Sequence, residues 1–271
     1  MLRARLATAA VAIPLLLLLI KYAPFWLFAA VLALIAAVGV LEYFVMAFPS
    51  QPGSRALGVA LGWMLAIASA STRADWLAFA MVAALVIGLS WTLLARVDFE
   101  KGIGDLGLTL LGILYVSVLL PYFVWLWQTP HGAGWVILLL GAGMGGDSSG
   151  YFAGHAFGKH KLMPRVSPGK TVEGALGILA GSVAGVGIVE LVLLPLMGLD
   201  VPDLGWTEAT VVAVVIGVVG QVGDLCESMM KRTFAAKESG WIFPGHGGVL
   251  DRIDSLVFPV ALLYYYVDLC R

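Results

Sequence analysis

Long runs of Leu, Val, Ala, Ile and Phe, broken by short clusters of charge, Gly and Pro, recur from one end of the 271-residue sequence to the other. Bounding the runs at those breaks predicts helices near 5–21, 24–47, 54–71, 75–96, 105–127, 133–157, 172–198, 206–231 and 253–269. Most approach the roughly 20 residues that cross about 30 Å of hydrocarbon. The runs are continuous rather than alternating, and open strands leave backbone groups unsatisfied in lipid, so strands are excluded as spans. The expectation is an all-α, polytopic integral membrane helical bundle of about nine transmembrane helices, a single domain over residues 1–271. Arg3 and Arg5 before the apolar stretch Ala7 to Ile20 imitate a secretory leader, but no small-residue cleavage site precedes Lys21, and the segment is read as the first span.

Composition agrees: 61% of residues are hydrophobic and 12% charged, an apolar surplus that one soluble core cannot hide. The net charge of -1 conceals the clustering of 16 Lys and Arg and 17 Asp and Glu. With the N-terminus in the cytoplasm, thirteen basic residues fall inside, while Lys21, Arg73 and Arg271 alone fall outside, as the positive-inside tendency requires. The same placement puts Trp26, Trp76, Trp125, Trp127, Trp135 and Trp206 near outer helix ends, where amphipathic rings prefer to sit. The two longest loops, about 158–171 and 232–252, then share the cytoplasmic face, and the chemistry is expected in the C-terminal half, about 133–271. Cys226 and Cys270 have no CxxC or His spacing and are read as inert.

Ionisable groups inside membrane helices are costly and mark function by default, which singles out Glu42, Asp147, Glu190, Asp224 and Glu227. Glu42 and Glu190 stand alone, and each is read as a helix-end group or one bonded to a neighbouring helix. Asp224, Glu227, Ser228 and Lys231 recur at helical spacing, so one face carries two carboxylates, a hydroxyl and an ammonium. An ion pair between Glu227 and Lys231 accounts for those two and not for Asp224. Downstream lies the Gly-rich loop Pro244-Gly245-His246-Gly247-Gly248, whose amides can approach an anion. Asp251-Arg252-Ile253-Asp254 opens the last helix, where at least one aspartate is accounted for as a cap. Carboxylates that hold a divalent cation, beside Lys and Arg that hold phosphate oxygens, are what phosphoryl or nucleotidyl transfer requires.

A second cluster runs from Asp147-Ser148-Ser149 through Lys159-His160-Lys161 to Ser167 and Gly174. Gly169-Lys170-Thr171 ends like a Walker A loop, but Pro164 stands where its first Gly belongs and no strand is expected before it. His155 and His160 lack metal spacing and are read as solvated or interfacial. Gly181 and Gly185 have the small-xxx-small spacing of close helix packing, given little weight in a chain of 33 glycines.

The run Ser228-x-Met230-Lys231-Arg232, then Lys237-Glu238-x-Gly240, then Phe243-Pro244-x-His246-Gly247-Gly248-Val249-x-Asp251-Arg252-Ile253-Asp254 resembles a known signature over 27 consecutive positions. It is that of the bacterial phosphatidate cytidylyltransferase family, the CDP-diacylglycerol synthases. Lys237-Glu238 departs from the family's Lys-Asp, which puts a metal role for Glu238 in doubt. The resemblance implies that phosphatidate attacks the α-phosphorus of CTP, releasing pyrophosphate and leaving CDP-diacylglycerol for phospholipid biosynthesis. It further implies Asp224 and Asp251 as principal ligands of Mg²⁺, alone or with a second, monovalent cation, and Asp254 and Asp147 as supporting ligands. Lys170, Lys231, Arg232, Lys237 and Arg252 would bind phosphates, Lys237 counting with Asp224, Asp251 and Asp254 as catalytic. His246, Gly247 and Gly248 would shape the loop around the nucleotide, and Ser148, Thr171 and Ser228 would line the substrate site. The setting implied is the cell inner membrane, with N-terminus and site cytoplasmic, CTP and a membrane lipid as partners, no nucleic acid, and a homodimer left open.

Three rivals are weighed. A CTP-dependent lipid kinase, or a cytidylyltransferase for another lipid phosphate, would show the same phosphate site. A cation-coupled transporter would place polar groups near the membrane midplane and repeat them in two halves, whereas here charge gathers in the C-terminal half toward one surface. A CDP-alcohol phosphotransferase would carry an Asp-Gly-x-x-Ala-Arg pattern, which is absent.

Overall fold

The computed structural model describes residues 2–95, 98–200, 202, 204–240 and 247–271, with side chains from residue 12 onward. His246, assigned above to the nucleotide loop, lies outside the described residues with its neighbours 241–245, as do Arg96 and the side chains of Arg3 and Arg5. The helices are α1 Leu2–Tyr22, α2 Phe25–Ala47, α3 Pro52–Ala70, α4 Ala74–Ala95, α5 Phe99–Gly112, α6 Tyr122–Trp127, α7 Gly132–Phe157, α8 Val172–Ile188, α9 Leu194–Met197, α10 Trp206–Thr233, α11 Leu250–Ile253 and α12 Val257–Cys270. A π-helical turn, Ile113–Val118, continues α5, and a second, Val189–Leu193, joins α8 to α9. Among the described residues six stretches are long and apolar enough to cross a membrane: Phe25–Ala47, Pro52–Ala70, Ala74–Ala95, Phe99–Trp127, Val172–Met197 and Trp206–Thr233. Ala12–Tyr22 and Val257–Cys270 are shorter apolar helices. The remaining expected span, α7, has the length, 26 residues, but its glycines and Asp147-Ser148-Ser149 dilute the apolar run.

One expectation is overturned beside Gly169-Lys170-Thr171. The loop after α7 forms an antiparallel hairpin, β1 Lys161–Met163 with β2 Ser167–Thr171, so strand surrounds this motif where none was expected. The exchange of bonds is local: Val166 N–H donates to Met163 O at 3.1 Å and Val172 N–H to His160 O at 2.9 Å. Thr171 ends the hairpin in extended conformation, and its hydroxyl accepts the N–H of Gly174 at 3.1 Å, which fixes where α8 starts.

By packing, the chain divides into two compact units that do not follow chain order. One comprises Met1–Phe28, Leu126–Arg232 and Ile253–Arg271, the other Ala29–Trp125 and Thr233–Arg252. In the first, α7 and α8 pack backbone to backbone. A Cβ placed on Gly181 would lie closer than 3.0 Å to Gly145 O, and one on Gly185 closer than 3.0 Å to Gly141 O. The spacing given little weight in the sequence is thus the seam itself. Lipid tails are as apolar as Leu, so helix association in a membrane relies on such close van der Waals contact. At the end of this unit opposite the hairpin, Trp127 Nε1 donates to Ile20 O at 3.0 Å and Lys21 Nζ to Met197 O. Trp135 lies near the start of α7, as expected, and is buried at 3% exposure, with Tyr266 edge-on against it at 6.1 Å.

The second unit is built on α2, whose Tyr43 and Phe44 are fully buried, as is Phe48 just after it. Gly58 and Gly112 leave room for the rings of Phe44 and Tyr43, where a Cβ would come closer than 3.0 Å. Phe234, beyond α10 in sequence, meets Tyr43 edge-on at 5.7 Å. At the far end of α3, Trp125 Nε1 donates to Ser69 O at 2.7 Å.

Candidate active site

In the first unit the charged residues gather toward the end of α10. Lys170, the fourth residue of β2, places Nζ 2.6 Å from Oδ2 of Asp224, and Ser228 Oγ, one turn further along α10, donates to Asp224 Oδ1 at 3.4 Å. Glu227 is buried and pairs with Lys231 at 2.6 Å, as the helical spacing implied. Gly220 and Gly223 carry no side chain at the point where α10 presses on the backbone of Asp254 and Ser255; a Cβ on either would approach Ser255 O or Asp254 O closer than 3.0 Å. That approach sets Asp254 beside the α10 carboxylates. Its carboxyl accepts the N–H of Ser255 at 2.7 Å, while Ser255 Oγ donates to Asp147 Oδ2 at 3.4 Å. Burial, then the negative charges of Asp224 and Glu227, push the Asp254 pKa up to about 8, against smaller opposing effects from Ser255 N–H and Lys231.

Beside these residues opens a cavity of about 440 Å³, within the range of small-molecule sites. Asp147, Tyr151 and His155 of α7, Lys170 and Thr171 at the hairpin end, and Gln221 and Asp224 of α10 line it, with Gly150, Gly154 and Gly174 between. Gln221 Nε2 donates to Ala175 O at 3.3 Å and so ties α10 to α8 beneath the cavity. Asp147 and Ser148 are exposed. Glu173, in the first turn of α8, accepts Lys159 N–H at 3.1 Å and His160 N–H at 3.3 Å, and lies 2.7 Å from the His160 ring. His155 stacks on Tyr151, with ring centroids 6.1 Å apart. Arg232, also exposed, donates from Nε to Val166 O at 3.4 Å, linking α10 to the hairpin.

The second unit holds Asp251, Lys237, Gly247, Gly248 and Arg252. Asp251 Oδ2 accepts three hydrogen bonds, from Ser239 N–H, Ser239 O–H and Gly248 N–H, each at 2.8 Å. Gly247 adopts φ +76°, a conformation open to glycine, and a Cβ there would strike the Asp251 carboxylate. Lys237, Glu238 and Arg252 are exposed. Asp224, Asp254, Asp147, Lys170, Ser228, Lys231 and Arg232 therefore belong to one unit, and Asp251, Lys237 and Arg252 to the other.

Glu42, Ser239, Glu173 and Gln221 carry contacts that the sequence reading did not assign. Glu42 had a signal, as a carboxylate deep in an apolar run of the first half. Ser239 and Gln221 had none, because a single hydroxyl or amide has no periodicity. Among the described residues no three acidic, His or Cys side chains form a group that would hold a cation unaided. The donors present are hard oxygens. Such a set suits a divalent ion that takes one or two carboxylates from protein and its other ligands from phosphate and water.

A family model described as the Cytidylyltransferase family matches residues 3–270. A phosphatidate cytidylyltransferase of Staphylococcus saprophyticus is 36% identical over 239 residues, 88% of this chain and 87% of the relative. One of Bacillus subtilis is 32% identical over 225 residues, 81% of this chain and 80% of the relative. One of Brucella abortus is 44% identical over 137 residues, 51% of this chain and 48% of the relative, so the matched stretch spans about half the length of that protein.

Proposed function

The chain belongs to the cytidylyltransferase family, and from that premise we propose that it transfers CMP from CTP to phosphatidate. A phosphate oxygen of the lipid bonds to the α-phosphorus of CTP, the bond to pyrophosphate breaks, and CDP-diacylglycerol stays in the bilayer. The observation that carries the reading is the Lys170–Asp224 pair, 2.6 Å apart, on a cavity of about 440 Å³ in a bundle of apolar helices. A lipid phosphate explains why so polar a site is mounted on membrane helices: acyl chains stay in lipid while the headgroup meets a nucleotide arriving from water.

In this reading Lys170, Lys231, Arg232, Lys237 and Arg252 would hold phosphate oxygens, and Asp224 and Asp251 would each be a ligand for Mg²⁺, with Asp254 and Asp147 in support, as the family resemblance implies. A divalent ion so held neutralises charge developing on the transferred phosphorus and the leaving pyrophosphate. No strong general base is required, since a phosphate monoester near neutral pH is already largely ionised, and positioning with charge neutralisation supplies most of the rate. Gly247 and Gly248, and His246 by the family resemblance, would shape the nucleotide loop. The count of basic residues supports a cytoplasmic site and N-terminus in a bacterial inner membrane.

The test is purified protein with CTP, phosphatidate and Mg²⁺, followed by pyrophosphate release. Asp224→Asn and Asp251→Asn should each lower turnover by at least about 100-fold, equivalent to about 2.7 kcal/mol, in a protein that still folds. Substantial activity in both variants removes the cation assignment. An inactive native chain that accepts a different lipid phosphate would change the acceptor.

A further inference from the structure

The carboxylate of Glu42 is a buried charge that the proposed reaction leaves unused. Only 6% of the residue is exposed, within a helix whose neighbouring side chains are Tyr43 and Phe44. Leaving such a group in an apolar setting without compensation is costly. Two backbone donors compensate it, a hydroxyl stands by, and all three groups come from the segment bearing the family signature. Oε1 accepts Val249 N–H at 2.9 Å, Oε2 accepts Leu250 N–H at 3.0 Å, and the Ser239 hydroxyl, whose one proton is shared between two carboxylates, lies 3.2 Å from Oε2. The same Ser239 hydroxyl lies 2.8 Å from Asp251 Oδ2, which Ser239 N–H and Gly248 N–H also meet. Gly240 and Gly248 make room, because a Cβ on either would approach the Glu42 carboxylate closer than 3.0 Å. α2 thus grips the turn preceding Asp251 at two amides and shares with Asp251 the hydroxyl that orients it.

We propose that Glu42 is a positioning residue for the transfer reaction, holding the Gly247–Leu250 turn and, through Ser239, the direction of the Asp251 carboxylate. The inference rests on the function proposed above for its catalytic consequence, and on geometry alone for its structural one. A carboxylate is needed rather than any polar group, since both oxygens only accept. Glutamine is nearly the same shape but turns an NH₂ toward one of the donors.

The experiment is Glu42→Gln, read in three ways: thermal unfolding, amide exchange of residues 247–251, and the Mg²⁺ concentration giving half-maximal pyrophosphate release. The expected result is a folded protein whose Val249 and Leu250 amides exchange faster by on the order of 10-fold, with the Mg²⁺ requirement raised about 10-fold, as when partners behind a metal ligand are removed. Native-like exchange overturns the proposal. So does faster exchange with an unchanged Mg²⁺ requirement, which would leave Glu42 a purely structural bond. If Glu42→Gln does not fold, Ser239→Ala takes its place: it removes only the shared hydroxyl, and a Mg²⁺ requirement unchanged from native overturns the proposal. If the native chain shows no transfer to phosphatidate, the reading of function fails, and exchange decides: loosening confined to 247–251 sustains the positioning role, and an unaltered pattern removes it.

Discussion

Lys170 and Asp224 meet at 2.6 Å, although one ends a surface hairpin and the other sits within a long apolar helix. The ammonium neutralises Asp224, and in the proposed reaction the same side chain would also meet a phosphate oxygen. Lys170→Met should lower kcat/KM for CTP by on the order of 100-fold, because it removes an anchor and strands a partly buried carboxylate. Lys170→Arg keeps the charge but spreads it over a planar fork, and only partial recovery is expected. Initial rates of pyrophosphate release at varied CTP measure both.

The seam between α7 and α8 has no room for a methyl group at Gly181. Gly181→Ala should destabilise the protein by about 1–3 kcal/mol, since the added atom meets both the backbone carbonyl of Gly145 and the Cβ of Ser149, neither of which can turn away. The shift in unfolding midpoint is about 2–4 °C per kcal/mol for a chain of this size class. Gly187, on the same helix, has nothing within 4 Å of its would-be Cβ, and Gly187→Ala should be neutral or slightly stabilising.

Glu173 staples the hairpin root through two backbone amides and the His160 ring. Glu173→Gln should leave the helices intact while opening the hairpin more often. Limited trypsin cleavage at Lys159, Lys161 and Arg165 is expected to accelerate about fivefold, as the loss of about 1 kcal/mol of local hydrogen bonding implies. Unchanged cleavage would show that the hairpin is held elsewhere.

Asp254 makes stability depend on pH with a definite sign. Its pKa in the folded protein, about 8, exceeds the ordinary carboxylate value near 3.9, so between those limits the folded state binds the proton more tightly than the unfolded chain. Stability contributed by the protonated form is complete below about pH 4 and is lost as pH rises through about 8. In cation-free buffer the unfolding midpoint should therefore fall across this window. Asp254→Asn should flatten that slope, and Mg²⁺ should raise the midpoint most at the alkaline end. A slope unaffected by the substitution would assign the dependence to other groups.

How much of this was legible in the sequence depends on whether a relationship has a period. Apolar runs announce helices one at a time, and each expected span has a helical counterpart. The Glu227–Lys231 pair follows from helical spacing alone. Lys170 and Asp224 were each singled out, yet nothing in the order of residues says that they touch, because they lie on different elements. The hairpin was missed since its strands are short and carry Pro and Gly, and its pairing is read only in three dimensions. Trp135 sits near a helix start as expected, and its burial beside Tyr266 shows only in the tertiary packing. The glycine seam was visible as a spacing, but in a glycine-rich chain spacing alone does not select which glycines matter.

The bond from Leu250 to Glu42 joins residues 208 apart, which has a consequence for biosynthesis. At a translation rate of about 5–20 residues per second, α2 leaves the ribosome roughly 10–40 s before the amides that complete it exist. During that interval a nascent chain carries an uncompensated acid in a segment destined for lipid, so the second unit is finished among the last events of synthesis. Ribosomes that stall or terminate before residue 249 would release chains with this acid unmatched by either amide.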